Sequence, residues 1–138
     1  MHLSRLVFPV LTMKSKISYT GIRVKNLDDS VEFYIKILGM KETGRSKNEA
    51  TKGQNVSLVS DDGGPTLELN YYEKGSRFDS PYVVGEGLDH IAFQVEDLDK
   101  FKAASEKAGH PLILDMKTDT SRWAYIQDPN GIWIEIFS

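Results

Sequence analysis

The chain has 138 residues, 40% of them hydrophobic and 27% charged, with a formal net charge of -3. That fits one globular domain of ordinary composition. It offers no basic footprint for nucleic acid, and no apolar run approaches the length that spans a bilayer. The absence of cysteine excludes disulfides and thiolate metal sites.

Residues 1–16 precede the patterned part of the chain. The apolar run Leu6–Leu11 follows Arg5 but is too short for a signal peptide and lacks a clear small-residue cleavage site. Met13-Lys14-Ser15-Lys16 reads as a start, so residues 1–12 are expected to be an extension that is disordered or loosely packed. With no export or membrane signal, a cytoplasmic location is expected. Residues 17–25 read as a strand. Asp28 or Asp29 is placed to cap the following helix. Val31, Tyr34, Ile35 and Leu38 give that helix an apolar stripe, and Gly39 ends it. Residues 40–47 read as a strand weakened at Gly44. Asn55–Ser60 alternates around Val56 and Leu58, Asp61–Pro65 is a turn cluster, and Thr66–Tyr71 is a fourth strand. Residues 17–72 therefore form a βαβββ unit. Residues 73–87 are polar and glycine-containing, as expected of a linker, and a connection this long invites a role beside a site.

Residues 88–138 repeat that order. A strand over 88–95 leads to a helix over Leu98–Lys107, with Phe101, Ala104 and Ala108 inward and Gly109 ending it. His110 is expected in a solvated turn. Leu112–Leu114 opens the next strand and Trp123–Gln127 the third. In Asp128-Pro129-Asn130-Gly131, proline sets φ and Asn-Gly supplies positive φ. Ile132–Phe137 is the last strand.

The two units also align residue by residue. Ile22–Asp28 lies over Phe93–Asp99, and Gly64–Leu69 lies over Gly131–Ile136. A single repeat of about 70 residues is a duplicated half-domain and not a solenoid. The alignment makes Tyr19 the counterpart of His90 and Glu68 the counterpart of Glu135.

At strand period two, Ile22, Val24, Leu67, Leu69, Ile91, Phe93, Val95, Ile134 and Ile136 share one face, which can bury helices. The opposite face holds Tyr19, Gly21, Arg23, Thr66, Glu68, Asn70, His90, Ala92, Gln94, Trp133, Glu135 and Phe137. Two acids and an imidazole framed by aromatics fit a concave binding surface better than a plainly solvated sheet. Carboxylates between hydrophobic neighbours must be paired, hydrogen-bonded or metal-bound. Such a donor set suits a divalent ion, whether Zn, Ni, Co, Mn or Fe.

Three segments carry a resemblance to a known family: Gly87–Val95, Asp128–Glu135, and Asp28–Tyr34 through Leu38-Gly39-Met40. Over residues 17–138 the chain resembles the vicinal oxygen chelate superfamily of glyoxalases, bleomycin-resistance proteins and extradiol dioxygenases. The resemblance implies an α+β fold of two βαβββ modules, forming a curved mixed sheet around a cavity with helices on the outer face.

Glyoxalase I is the most similar pattern, with metal ligands His, Glu, His and Glu. Carried over, these positions are Tyr19, Glu68, His90 and Glu135, and the first departs from the pattern because a neutral phenol is a weak ligand. Arg23 matches an arginine that binds the glutathione part of the substrate. The asparagine expected just after the Glu68 strand is replaced by Tyr72. Asn70 and Trp133 are further candidates for substrate contact.

The implied function is a metal-dependent isomerase or lyase acting on a small substrate with vicinal oxygens through an enediolate, with Glu135 as proton carrier and Glu68 as its symmetric partner. The alternatives on this scaffold are a non-catalytic small-molecule binding protein of the bleomycin-resistance kind and an acyl-CoA epimerase. A homodimer is expected, with Glu68 and the His90–Glu135 pair supplied by different subunits.

Overall fold

The structure, a computed structural model, describes residues 14–138. The expectation for residues 1–12 lies outside the described residues. The first module runs β1 (Tyr19–Arg23), α1 (Leu27–Lys36), β2 (Lys41–Asn48), β3 (Gly53–Ser60) and β4 (Gly63–Tyr72). Its sheet has the order β1-β4-β3-β2, with β1 parallel to β4 and the other pairs antiparallel. The second module repeats this as β5 (His90–Gln94), α2 (Leu98–Lys107), β6 (Leu114–Lys117), β7 (Arg122–Gln127) and β8 (Trp133–Phe137), in the order β5-β8-β7-β6. The fold is therefore two four-stranded mixed sheets with helices packed outside. Among the described residues no helix is long and apolar enough to cross a membrane.

The duplication extends to the hydrogen-bond register. Tyr19 lies opposite Thr66 and Gly21 opposite Glu68. In the second sheet His90 lies opposite Trp133 and Ala92 opposite Glu135. Because side-chain direction follows register, Glu68 and Glu135 project from equivalent points of the two sheets. The apolar face behaves as its pattern requires. Ile22, Val24, Leu67, Leu69, Ile134 and Ile136 are buried, while Ile91, Phe93 and Val95 pack half-buried against them. Each fully buried side chain of this kind stabilises the fold by about 1.5–3 kcal/mol.

Helix details differ from the sequence pattern in instructive ways. The N-cap of α1 is Asn26, not Asp28 or Asp29; its Oδ1 accepts the Asp29 N–H at 3.0 Å. The two aspartates occupy the first turn, where the helix dipole favours negative charge. Asp97 caps α2 in the same way, accepting from the Lys100 N–H. Ile35 is exposed and Phe33 buried instead. The reason is that α1 is covered on two sides, by its own sheet and by the second module, so its buried arc is Ser30, Val31, Phe33 and Tyr34. In α2 the inward residues are Leu98, Phe101 and Ser105, while Ala104 and Ala108 are exposed. His110 lies in a loop as expected but is half-buried rather than fully solvated. Its ring sits edge-on to Phe33 at 5.0 Å, and its backbone carbonyl accepts the Ser105 hydroxyl at 2.5 Å.

The modules are joined by a buried polar seam. Tyr34 Oη donates to Asp128 Oδ2 at 2.9 Å, and Asn130 Nδ2 donates to the same oxygen at 2.9 Å and to Ser30 Oγ at 3.1 Å. Asn130 Oδ1 accepts the Lys25 N–H at 2.7 Å. Asp128 Oδ1 accepts the N–H groups of Asn130 and Ile132, both at 2.8 Å. In this turn only Gly131 takes positive φ, at 88°. Asn130 is there for its side chain, which links α1 and the end of β1 to the second module. Burial, then the Asp128 charge, then the hydrogen bond to Asp128 push the Tyr34 phenol far above its usual range.

Candidate functional site

The sheet faces opposite the buried ones carry the candidate chemistry. His90 opens β5 at the sheet edge of the second module, and its exposure is 36%. Its Nδ1 lies 2.5 Å from Asp89 Oδ2, while Nε2 faces Glu135 Oε2 at 3.8 Å. Glu135 is half-buried at mid-strand, because β8 alternates buried Ile134 and Ile136 with outward Trp133, Glu135 and Phe137. Its other oxygen, Oε1, is reached by the Tyr125 hydroxyl at 3.4 Å. Burial and the Glu135 carboxylate raise the Tyr125 phenol above its ordinary value, so it remains a donor at neutral pH. The Tyr125 ring is edge-on to His90 at 6.1 Å and to Trp133 at 5.3 Å.

Tyr125 and Asp89 were not singled out from the sequence. The signal for Tyr125 was its place on β7, opposite Glu135 and on the same face as Trp123. For Asp89 it was adjacency to the histidine, which on a bare strand pattern would point away.

Glu68 holds the matching half-buried position on β4, and Gly21 stands beside it on β1. A Cβ at position 21 would come within 3.1 Å of Asn70 Nδ2, so the glycine lets Asn70 lie against β1, with that nitrogen 3.5 Å from Ile22 O. Tyr19 is 53% exposed. Trp133 and Phe137 are exposed on β8. Arg23 is engaged by the linker: it donates to Ser80 Oγ at 2.8 Å and Ser80 O at 2.5 Å, and it lies over the Tyr82 ring at 5.1 Å. Tyr82 Oη in turn donates to Arg23 O at 2.8 Å. Pro81 to Glu86 of the linker and β1 thereby enclose a cleft of about 350 Å³. Tyr72 stacks on Phe78 at 5.2 Å.

Within the chain the structure brings His90 and Glu135 together. Among the described residues, no three His, Cys, Asp or Glu side chains form a group that could hold a metal ion; Glu68 stands on the other module. The imidazole and carboxylate are ordinary ligands for Zn²⁺ and its neighbours. The 3.8 Å gap exceeds a direct hydrogen bond and is within a small side-chain adjustment of the roughly 3 Å that separates two donors on one ion.

The sequence matches the glyoxalase/bleomycin resistance protein/dioxygenase superfamily over residues 16–136, and the chain belongs to that family. It is 31% identical to the uncharacterized protein YwbC of Bacillus subtilis, over 91% of this chain and 98% of that one. It is 28% identical to a lactoylglutathione lyase of Pseudomonas aeruginosa, over 91% of this chain and 84% of the relative. Among solved structures, the trypanothione-dependent glyoxalase I of Leishmania major superposes with a TM-score of 0.71 at 29% identity, covering 91% of this chain and 87% of that chain. The chain is thus homologous to glyoxalase I-like proteins.

Proposed function

We propose that this protein is a glyoxalase I-like isomerase or lyase that depends on a divalent metal and acts on a small adduct with vicinal oxygens, a 2-oxoaldehyde joined to a thiol. The observation that carries the reading is the His90–Glu135 pair, set in a register that repeats Glu68 at the equivalent point of the other sheet. His90, Glu135 and Glu68 would hold the ion, which as a Lewis acid supplies stabilisation of negative charge on substrate oxygen. Glu135 carries the proton: its carboxylate takes it from one carbon and returns it to the adjacent carbon. The net change is an isomerisation, from hemithioacetal to the thioester of a 2-hydroxy acid, and it needs no external oxidant. Tyr125 holds Glu135 Oε1 and leaves Oε2 facing His90. Trp133, Tyr19 and Asn70 are the candidates for substrate contact on the sheet faces that carry the two glutamates, and Arg23, which lines the cleft under the linker, is the candidate for the thiol's anionic end.

Because Glu68 does not join His90 and Glu135 within one chain, the site as proposed is completed in a homodimer by the partner subunit's Glu68. Turnover of methylglyoxal with a panel of thiols, before and after metal loading, tests the reading. Metal-dependent thioester formation with at least one thiol is expected, and none with any thiol would refute catalysis. One observation favours a second reading, a binding protein without catalysis: Tyr19 stands where the family's first histidine would be. Elemental analysis of the purified protein separates the two, since stoichiometric metal supports the enzyme.

A further inference from the structure

We infer that Asp89 is a positioning residue for His90: it holds the ring in the tautomer with the proton on Nδ1, so that the Nε2 lone pair is turned toward Glu135. The inference rests on the reading of His90 as a metal ligand. An ionised carboxylate only accepts hydrogen bonds. At 2.5 Å from Asp89 Oδ2, His90 Nδ1 must therefore be the donor. A neutral imidazole has one N–H, so assigning it to Nδ1 leaves Nε2 as the free acceptor, and Nε2 is the atom that faces Glu135 Oε2. The contact is charge-assisted and lies at the surface, with the Asp89 side chain solvent-exposed; it selects which ring nitrogen carries the proton, as an outer carboxylate does for a metal-bound histidine.

The duplicated half supplies an internal control. There the residue at the Asp89 position is Ser18 and the residue at the His90 position is Tyr19, so the module without the imidazole also lacks the carboxylate. Glu135 is braced in the same fashion by Tyr125. Both inner groups of the second module thus carry an outer partner that fixes which atom faces the gap.

The inference is tested on the full chain by nitrogen-detected NMR of the histidine rings, metal-free and at about pH 8, where an unperturbed imidazole is neutral. The His90 signals are assigned by their loss in His90→Ala. Wild type should show a protonated Nδ1 and an unprotonated Nε2. Asp89→Ala should shift the ring toward the Nε2-protonated form and weaken Zn²⁺ binding in calorimetry by about 10- to 100-fold. Asp89→Asn, whose amide oxygen still accepts, should keep the tautomer and lose less affinity. An Nε2-protonated ring in wild type, or an unchanged tautomer in Asp89→Ala, would overturn the inference. If wild type bound no metal at all, the proposed function would fail while the ring signals still decided the role of Asp89.

Discussion

At the start of the first module the chain reads Ser18-Tyr19; at the same point of the second it reads Asp89-His90. Ser57 lies opposite Glu68, whereas Tyr125 lies opposite Glu135. The turn before the last strand differs as well. In the first module Asp61 is exposed and pairs with Lys41 at 2.6 Å on the surface. In the second, Asp128 is buried and accepts four hydrogen bonds. The two halves share a backbone register because register is set by the buried alternation of Leu67-Leu69 and Ile134-Ile136. Nothing in that alternation constrains the other face, so imidazole, phenol and bracing groups collect in the second module. The first contributes one carboxylate and the surface on which the linker closes.

That asymmetry can be broken at several points. The largest effect is expected for His90→Ala, which removes the nitrogen ligand of the proposed centre. Metal affinity measured by calorimetry should fall by more than about 100-fold, beyond what losing an outer partner costs. An unchanged affinity would show that the second module is not the metal-bearing half. Next comes Asp128→Ala, which strands the Tyr34 hydroxyl, the Asn130 side chain and two backbone N–H groups in the interior. A loss of about 3 kcal/mol in denaturant unfolding is expected. The matched change in the first module, Asp61→Ala, should leave the midpoint where it is, because exposed pairs contribute little. Equal effects at the two turns would erase the contrast drawn between them.

Tyr34 gives the seam a pH signature. Its phenol is raised in the folded state, so folding retains a proton that the unfolded chain releases above about pH 10. Stability from this group is fully present below that pH and should decline as pH rises further. Tyr34→Phe should flatten the alkaline limb of a stability-against-pH profile, and an equally steep limb in the variant would contradict the assignment. The smallest expected effect is a gain. Tyr19→His would restore an imidazole at the weaker half, and Zn²⁺ or Ni²⁺ should bind about tenfold more tightly, roughly 1.4 kcal/mol. Equal affinities would mean that position 19 does not face the ion.

Much of this was legible in the chain. The internal repeat located both carboxylates and His90 on one face, and the observed register agrees with that alignment strand for strand. The helix termini at Asn26 and Asp97 obey the same repeat, although the run of aspartates after Asn26 obscured the first. What escaped depends on contacts between the halves. Phe33 replaces Ile35 in the core because a helical stripe read against one sheet does not know of a second covering surface. Asn130 looked like a turn former, yet its amide bonds Ser30 and Lys25, 100 and 105 residues away. Arg23 sits on the expected face, but its partners Ser80 and Tyr82 come from a linker with no periodicity to read.

The proposed site is shared between the first module of one chain and the second module of another. It is tested most directly by subunit exchange between Glu68→Ala and His90→Ala, each of which should bind no metal tightly by itself. In a mixed dimer one site inherits both defects, while the other combines an intact Glu68 with an intact His90 and Glu135. Free exchange should therefore restore about one site in four, read as bound metal and as metal-dependent turnover. Recovery near that level is the result expected here. No recovery after demonstrated exchange would contradict a site shared across the dimer.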